Sequence, residues 1–340
     1  MFTKVNSRRI LVVGAGISGA VIARELADKG CLVRVIDKRD HIAGNVFDYV
    51  NEHGIRIHKY GPHLFHTKNK NVFEWLSRFT EWIPYKHKVK AMLDNGRLVT
   101  LPVNKQTKEI VGSDNIVETF IRPYTEKMWG KKLEAVSPNI INRVPIRDDD
   151  NEFYFPDDPY QFVPKDGYTK MIENIINHEN ISIELGKSFS KEMEEEYDHI
   201  FNSMPIDEYY DYQFGKLEYR SIKFHEISVP IPKMFPTATV NLTNLGPYTR
   251  LTEWKNIPGH GVNPIWTTLT YEEPFAASEN DDKYYPVKDL ENKNTKLLEK
   301  YKSINNEKLT FIGRLGLYAY LDMDQAVNIC LQTIKKGKYE

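Results

Sequence analysis

Residues 10–45, ILVVGAGISGAVIARELADKGCLVRVIDKRDHIAGN, decide the fold, because they spell out a complete phosphate-binding βαβ unit. The apolar run Ile10–Val13 reads as a buried parallel strand. It breaks at Gly14-Ala15-Gly16-Ile17-Ser18-Gly19 and continues into a helix from Ala20 to Lys29. In such a unit Gly14 permits the tight turn and Gly16 lets the backbone approach a pyrophosphate. Gly19 lets the helix pack closely on the sheet, and the helix N-terminus faces the negative charge. Ala15 and Ser18 belong to the same turn and join the cofactor-binding set. Gly30 stops the helix, Leu32–Ile36 forms the second strand, and Asp37 ends it 18 residues after Gly19. That spacing suits a carboxylate gripping a ribose hydroxyl. The bland alternative is a doubly wound sheet whose glycines only pack.

The continuation favours FAD over NAD. Lys38 and Arg39 add basic side chains beyond the acid, and Ala43-Gly44-Asn45 forms a second Gly-containing turn. FAD proteins of the glutathione-reductase type often place a second phosphate contact at such a turn, where Gly-Gly is usual and Ala43-Gly44 stands here.

A chain of 340 residues can bury a large core in two or three subdomains. The net charge is −1 with Lys and Arg scattered, which argues against nucleic acid as a partner. No apolar run approaches the roughly 20 residues of a membrane span, and MFTKVNSRR leaves no room for a signal peptide before the first strand. The expectation is a soluble cytoplasmic protein. Cys31 and Cys330, in a predicted strand and a predicted helix, belong to no CxxC and read as small buried hydrophobes.

The rest of the chain alternates. Val72–Phe79 reads as a short amphipathic helix; Lys86–Leu93, Asn95-Gly96 and Leu98–Val103 make a hairpin. Ser113–Trp129 is helical in parts, with Ser113 as N-cap and Pro123 interrupting. A helix over Tyr168–Asn177 leads to the strand Ile181–Leu185, and His199–Asn202 follows an acidic, solvent-facing run, Glu192–Glu196. After β-rich segments between Leu217 and Phe275, Leu309–Ile312 returns as a buried strand before a last helix. This pattern predicts an α/β protein with three parts. A discontinuous Rossmann-like FAD-binding domain of the glutathione-reductase type takes 1–80, 181–216 and 300–340. A small helical subdomain takes 104–145, and a mainly antiparallel β-sheet substrate subdomain takes 81–103, 146–180 and 217–299.

The chain has no Ser/His/Asp elbow, Zn-ligand pattern, redox dithiol or second GxGxxG, so a flavin would carry the reaction. Two segments suit a charged substrate. One runs from Phe120 through Arg122, Tyr124, Thr125 and Trp129 to Gly130; the other is Tyr248-Thr249-Arg250-Leu251-Thr252-Glu253. An Arg fork matches phosphate oxygens, although Tyr and Trp also simply fill cores.

Taken in order along nearly the whole chain, a further set of motifs resembles the UDP-galactopyranose mutase family. It comprises Tyr60-Gly61-Pro62-His63-Leu64-Phe65-His66-Thr67, Tyr124-Thr125 with Trp129-Gly130, Arg143-Val144-Pro145, and Phe153-Tyr154-Phe155. It continues with Gln161, Pro164 and Gly167-Tyr168-Thr169, then Tyr248-Thr249-Arg250, Tyr284-Tyr285-Pro286, Gly313-Arg314-Leu315-Gly316 and Tyr320-Leu321-Asp322-Met323-Asp324. The resemblance implies a flavoenzyme that interconverts the pyranose and furanose forms of a nucleotide-linked sugar without net redox, with N5 of reduced FAD attacking the anomeric carbon. It implies that Arg143 and Arg250 clamp the diphosphate, assisted by Tyr154, Tyr285 and Tyr320. Phe120, Tyr124, Thr125 and Trp129 would hold nucleotide and sugar, and His63 would lie against the flavin. Arg314, Tyr320, Asp322 and Met323 would sit by the cofactor, and no metal is implied. An external reductant such as NAD(P)H would be needed, and the product would feed a cell-surface polysaccharide such as O-antigen or capsule.

Three departures fall near the expected base-binding end. The chain is shorter between Asn104 and Tyr124 than bacterial relatives, Phe120-Ile121 stands where Phe-Phe is common, and His87 stands where relatives often have Asn. A homodimer, the nucleotide (UDP or dTDP) and the sugar (galactose, N-acetylgalactosamine or 6-deoxy fucose) are left open by these changes. Arg56 and His58 read as exposed strand residues, or else as approaching the sugar. The rival functions are an FAD oxidoreductase of the amine oxidase type and a flavin-binding protein without catalysis.

Overall fold

The computed structural model describes residues 7–136, 145–244, 246–287 and 290–337. Its first element is the opening βαβ unit: a strand Arg9–Val13, a helix Ile17–Asp28 and a strand Leu32–Asp37. The helix starts three residues earlier than its apolar pattern predicts, because Ile17-Ser18-Gly19 belong to its first turn. Gly14 takes φ +108° in the turn. A Cβ on Gly19 would stand 1.9 Å from the carbonyl oxygen of Gly14, so only glycine lets the helix lie this close to the loop.

This unit seeds a five-stranded parallel sheet in the order 181–185, 32–37, 9–13, 199–202, 309–311. Its strands come from three separated stretches of chain. The helices Ile17–Asp28, Tyr168–Ile176 and Met323–Lys336 bury their apolar faces in the cluster around Ile10, Val12, Val35, Phe201 and Val327. Parallel strands covered on their faces read as continuous apolar runs, which is why these were visible in sequence. Asp48, fully inside, accepts from the N–H groups of Tyr168 and Thr169 at 2.7 and 3.0 Å and so starts the helix of the Gly167-Tyr168-Thr169 segment.

A seven-stranded sheet stands beside it, in the order 285–286, 219–229, 267–276, 250–253, 239–242, 89–92, 98–101. All neighbours are antiparallel except 239–242 with 89–92. The Rossmann-type α/β unit with a largely antiparallel second sheet is the expected fold class. Two small sheets, 48–50 with 56–58 and 65–67 with 160–164 and 82–84, bridge the layers. Thr67 donates to Asp324 at 2.7 Å, tying the strand after Gly61-Pro62-His63 to the C-terminal helix.

Several local expectations need correction. Ser113 caps nothing. A 3-10 turn covers Ser113–Asn115, a π-type turn covers Val117–Ile121, and the α-helix is Arg122–Trp129. Pro123 begins that helix rather than interrupting it, since a first-turn residue has no N–H to lose. Two helices went unforeseen: Lys105–Val111, capped by Asn104 accepting from Thr107 N–H at 2.9 Å, and Lys293–Lys302. The second runs across the expected boundary between residues 299 and 300. Half of its KNTKLLEKYK residues are charged, and Leu297, Leu298 and Tyr301 reach an apolar cluster. Cys31 and Cys330 are buried and in no disulfide, and no helix among the described residues is long and apolar enough to cross a membrane.

Gly19→Ala would force helix and turn apart, with an expected loss of about 1–3 kcal/mol of unfolding free energy. A urea midpoint equal to wild type would show that the contact is not tight.

Candidate functional site

One cavity of about 620 Å³ opens between the glycine turn, the C-terminal ends of the parallel strands and the inner face of the seven-stranded sheet. Gly14, Gly16, Ser18, Gly19, Asp37, Gly44 and Asn45 line it, as do His63, Arg314, Tyr320, Asp322 and Met323. So do Phe120, Tyr124, Thr125, Trp129, Tyr154, Arg250 and Tyr285. The fold thus brings residues from distant parts of the chain to one space. Ala15, Lys38 and Arg39 do not line it. Ala15 is buried beneath the turn and donates its N–H to Asp37 at 2.8 Å. Lys38 is exposed. Arg39 turns aside to Asn45 and Asp282, at 3.0 and 2.7 Å, and covers the ring of Tyr60 at 4.4 Å. Arg143 lies outside the described residues.

The glycine turn forms a dinucleotide cradle. The helix Ile17–Asp28 has no side-chain cap, which leaves its first-turn N–H groups to an anion. The second turn lies directly against the first: Ala43 N–H donates to Ala15 at 2.9 Å, and Gly16 pairs with Ala43 as a parallel bridge. Asp37 closes the end, its oxygens engaged by the N–H groups of Ala15 and Arg39 with lone pairs to spare for ribose. Two close-packed turns, an uncapped helix start and a terminal carboxylate fit a pyrophosphate and its ribose.

The floor is the antiparallel sheet. Asn241, Arg250 and Glu272 are direct cross-strand neighbours and all face the cavity. Arg250 Nε lies 2.8 Å from Glu272 Oε1, yet neither atom has a well-aligned hydrogen bond, so charge rather than directed bonding holds the pair. Burial opposes the guanidinium's charge. The carboxylate of Glu272, with Tyr124 and Tyr285 nearby, outweighs that and keeps Arg250 firmly protonated. Arg314 forms a second cationic centre, 5.2 Å from the ring centroids of both Tyr285 and Tyr320. Those two rings stack at 5.1 Å. Burial, with Tyr320 alongside, pushes the Tyr285 phenol up to about 12, so it stays a donor.

Histidines line the opposite side. His63 Nδ1–H donates to the Gly61 carbonyl at 2.8 Å, which leaves Nε2 unprotonated; burial and Arg314 lower the ring to about 4. His66 Nδ1–H donates to Asp158 at 2.7 Å and its ring stacks on Phe155 at 3.5 Å. His87, next to Tyr85 at 3.1 Å, is lowered to about 3 by burial and by Arg250. His66, His87, Phe155, Asn241 and Glu272 had no assigned role in the sequence reading. For Glu272 no local signal exists, because only strand register sets it opposite Arg250. Arg56 and His58 are neither exposed nor in the cavity. Arg56 lies half-buried 3.5 Å from Asp48, and the fully buried His58 meets His260 at 2.9 Å.

The fold is that of a Rossmann-type dinucleotide-binding enzyme, and one cavity is shared by its glycine turn and the guanidiniums of Arg250 and Arg314. Residues 12–79 match the domain model described as NAD(P)-binding Rossmann-like, and residues 119–320 match that of UDP-galactopyranose mutase. A probable UDP-galactopyranose mutase of Klebsiella pneumoniae is 36% identical over 376 aligned residues, covering 97% of this chain and 94% of that protein. A dTDP-fucopyranose mutase of Escherichia coli is 32% identical, covering 95% and 97%. A crystal structure of reduced UDP-galactopyranose mutase superposes with a TM-score of 0.72 at 16% identity, covering 97% and 94%. The chain belongs to the UDP-galactopyranose mutase family, a family of isomerases, and that membership implies a flavin cofactor.

The buried imidazoles couple the site to pH. The unfolded chain takes up protons on them near 6.5, whereas folded His63 and His260 do so only near 4 and His87 near 3. Their contribution to stability is whole above 6.5 and is lost as pH falls toward 4. The urea midpoint is expected to drop between about pH 7 and about pH 5, with the three ring signals unshifted by NMR over that range. A ring titrating near 6.5 would place that histidine in water.

Proposed function

We propose that the protein converts UDP-galactopyranose and UDP-galactofuranose into one another with FAD as the bound flavin. The observation that carries this reading is one cavity holding both the uncapped glycine turn and the half-buried guanidinium of Arg250. Gly14, Gly16, Ser18, Gly19, Asp37, Gly44 and Asn45 would hold the cofactor's pyrophosphate and ribose, with His63, Arg314, Tyr320, Asp322 and Met323 around the rest of it. When bound and reduced, the flavin supplies the nucleophilic N5 that displaces the nucleoside diphosphate from the anomeric carbon.

The chain's own residues handle the charge. Cleaving the anomeric C–O bond builds negative charge on the departing diphosphate, which a pre-positioned guanidinium stabilises most effectively where water is excluded. Arg250 serves this role with Arg143 as its partner, and Tyr154, Tyr285 and Tyr320 donate to the same oxygens. Phe120, Tyr124, Thr125 and Trp129 wall the nucleotide and sugar. Neutral His63, with Nε2 unprotonated, adds no positive charge that would compete for the phosphates. The furanose product would enter cell-surface polysaccharide synthesis, and an outside donor such as NAD(P)H would keep the flavin reduced.

A second reading keeps the chemistry and changes the substrate to dTDP-fucose or UDP-N-acetylgalactosamine. It is favoured by the likeness to the dTDP-fucopyranose mutase over nearly both full lengths and by His87 at the cavity wall.

Dithionite-reduced, FAD-loaded protein is expected to turn UDP-galactofuranose into the pyranose, read by chromatography, with UDP-N-acetylgalactosamine and dTDP-fucose furanoses as parallel arms. Oxygen consumption in place of isomerisation would instead mark an oxidase. Arg250→Ala should lower kcat by about 10²–10³, or roughly 2.7–4 kcal/mol. An unchanged kcat/KM would take Arg250 out of the site.

A further inference from the structure

The helix Arg122–Trp129 carries Tyr124 and Trp129 to the cavity, and the strand Arg250–Glu253 carries Arg250. Their separation decides whether an aromatic wall and an anion grip can close on one ligand. Lys127, half-buried on that helix, reaches across the gap. Its Nζ donates to the carbonyl oxygens of Leu242, Asn244 and Tyr248 at 2.8, 2.9 and 2.8 Å. Leu242 ends one strand, and Tyr248 stands two residues before Arg250 on the next. The three protons of the ammonium thus meet both stems of the loop that delivers Arg250, with neutral carbonyls as acceptors throughout.

The arrangement is costly unless it does something. A lysine at a surface ordinarily keeps its charge in water, and a charge taken out of water onto neutral acceptors loses solvation. The helix end is fixed in the same manner from the other side, where Arg220 donates to the carbonyls of Met128 and Lys127 at 2.8 and 3.2 Å. Apolar packing alone would let the helix slide over the sheet, whereas directed bonds at both sides set one register.

We infer that Lys127 is a positioning residue: its ammonium ties the aromatic wall to the loop behind Arg250 and so fixes the width of the diphosphate site. This rests on the nucleotide-sugar reading of the cavity. The charged groups on the surrounding elements are engaged elsewhere. Glu126 accepts from Leu133 N–H and Arg122, Arg250 faces Glu272, and His225 bonds Glu273, while the Tyr248 ring packs on His225 and Tyr271. Burial alone lowers the ammonium from 10.5 to about 8. Above that pH the clasp loses its charge and one of its three protons, so one of the three carbonyls goes without a donor and the other two bonds weaken.

Calorimetric UDP binding to the FAD-loaded wild type, Lys127→Met and Lys127→Arg at about pH 7 and about pH 9 tests this, with melting temperatures recorded alongside. Lys127→Met is expected to bind UDP roughly 10- to 100-fold more weakly at the lower pH, the scale of a small misplacement of a binding group. Wild type should lose affinity at the higher pH, and Lys127→Arg, whose charge does not titrate there, should not show that loss. Full affinity in Lys127→Met, a wild type equally tight at both pH values, or an alkaline loss shared by Lys127→Arg each overturns the inference. Should Lys127→Met fail to fold, the comparison of wild type with Lys127→Arg decides. A wild type that binds no UDP at the lower pH removes the nucleotide-sugar reading itself, a distinct outcome.

Discussion

A charged guanidinium set in the cavity wall, half-buried against a fully buried carboxylate, is the constraint around which this site is built. Arg250 is held beside Glu272 on the adjoining strand. Desolvation penalises such a pair heavily, and removing either partner leaves an uncompensated buried charge. The antiparallel register makes the pairing possible, since direct cross-strand neighbours share a face of the sheet. The same register sets Asn241 on the other side of Arg250. A polar row therefore crosses three strands inside an otherwise apolar floor.

Short, specific links, alongside the apolar cluster around Tyr219 and Tyr318, join the cofactor side of the molecule to the sheets that face it. Thr67 bonds Asp324, Arg314 lies over Tyr285 and Tyr320, and Arg39 joins Asn45 to Asp282. Each link spans sequence-distant segments, so the parallel sheet and the antiparallel sheet hold their facing surfaces in one arrangement. Between them His63 and His87 remain neutral by burial, and the positive potential is concentrated on Arg250 and Arg314.

Much of the fold was visible before any coordinates. The strands Ile181–Leu185 and His199–Asn202 coincide with their predicted limits, and the opening βαβ unit differs by three residues at the helix start and by one residue at the first strand's start, the helix end and the second strand's end. Continuous apolar runs bounded by Gly or charge leave little ambiguity for buried parallel strands. The helix Lys293–Lys302 escaped because half of its residues are charged and its apolar contacts are confined to Leu297, Leu298 and Tyr301. The stretch 113–129 was read as an interrupted helix. Its π-type turn and the benign place of Pro123 depend on how the segment packs over the cavity. Lys38 and Arg39 were placed at the cofactor by proximity to Asp37, but neither lines the cavity: Lys38 is exposed, and Arg39 is engaged by Asn45 and Asp282 at its edge.

By itself the sequence determined the pieces whose chemistry is local: the glycine turn, the acid ending the second strand, the aromatic and arginine-bearing segments, and through them the family. Those features need only neighbouring residues to be meaningful. What only the tertiary structure decided was pairing at a distance: Glu272 facing Arg250, Asp158 holding His66, His58 withdrawn onto His260, and Lys127 reaching three carbonyls across a gap. Strand register and helix docking create these contacts. No local pattern encodes them, because each partner taken alone is an ordinary polar residue with many places to go.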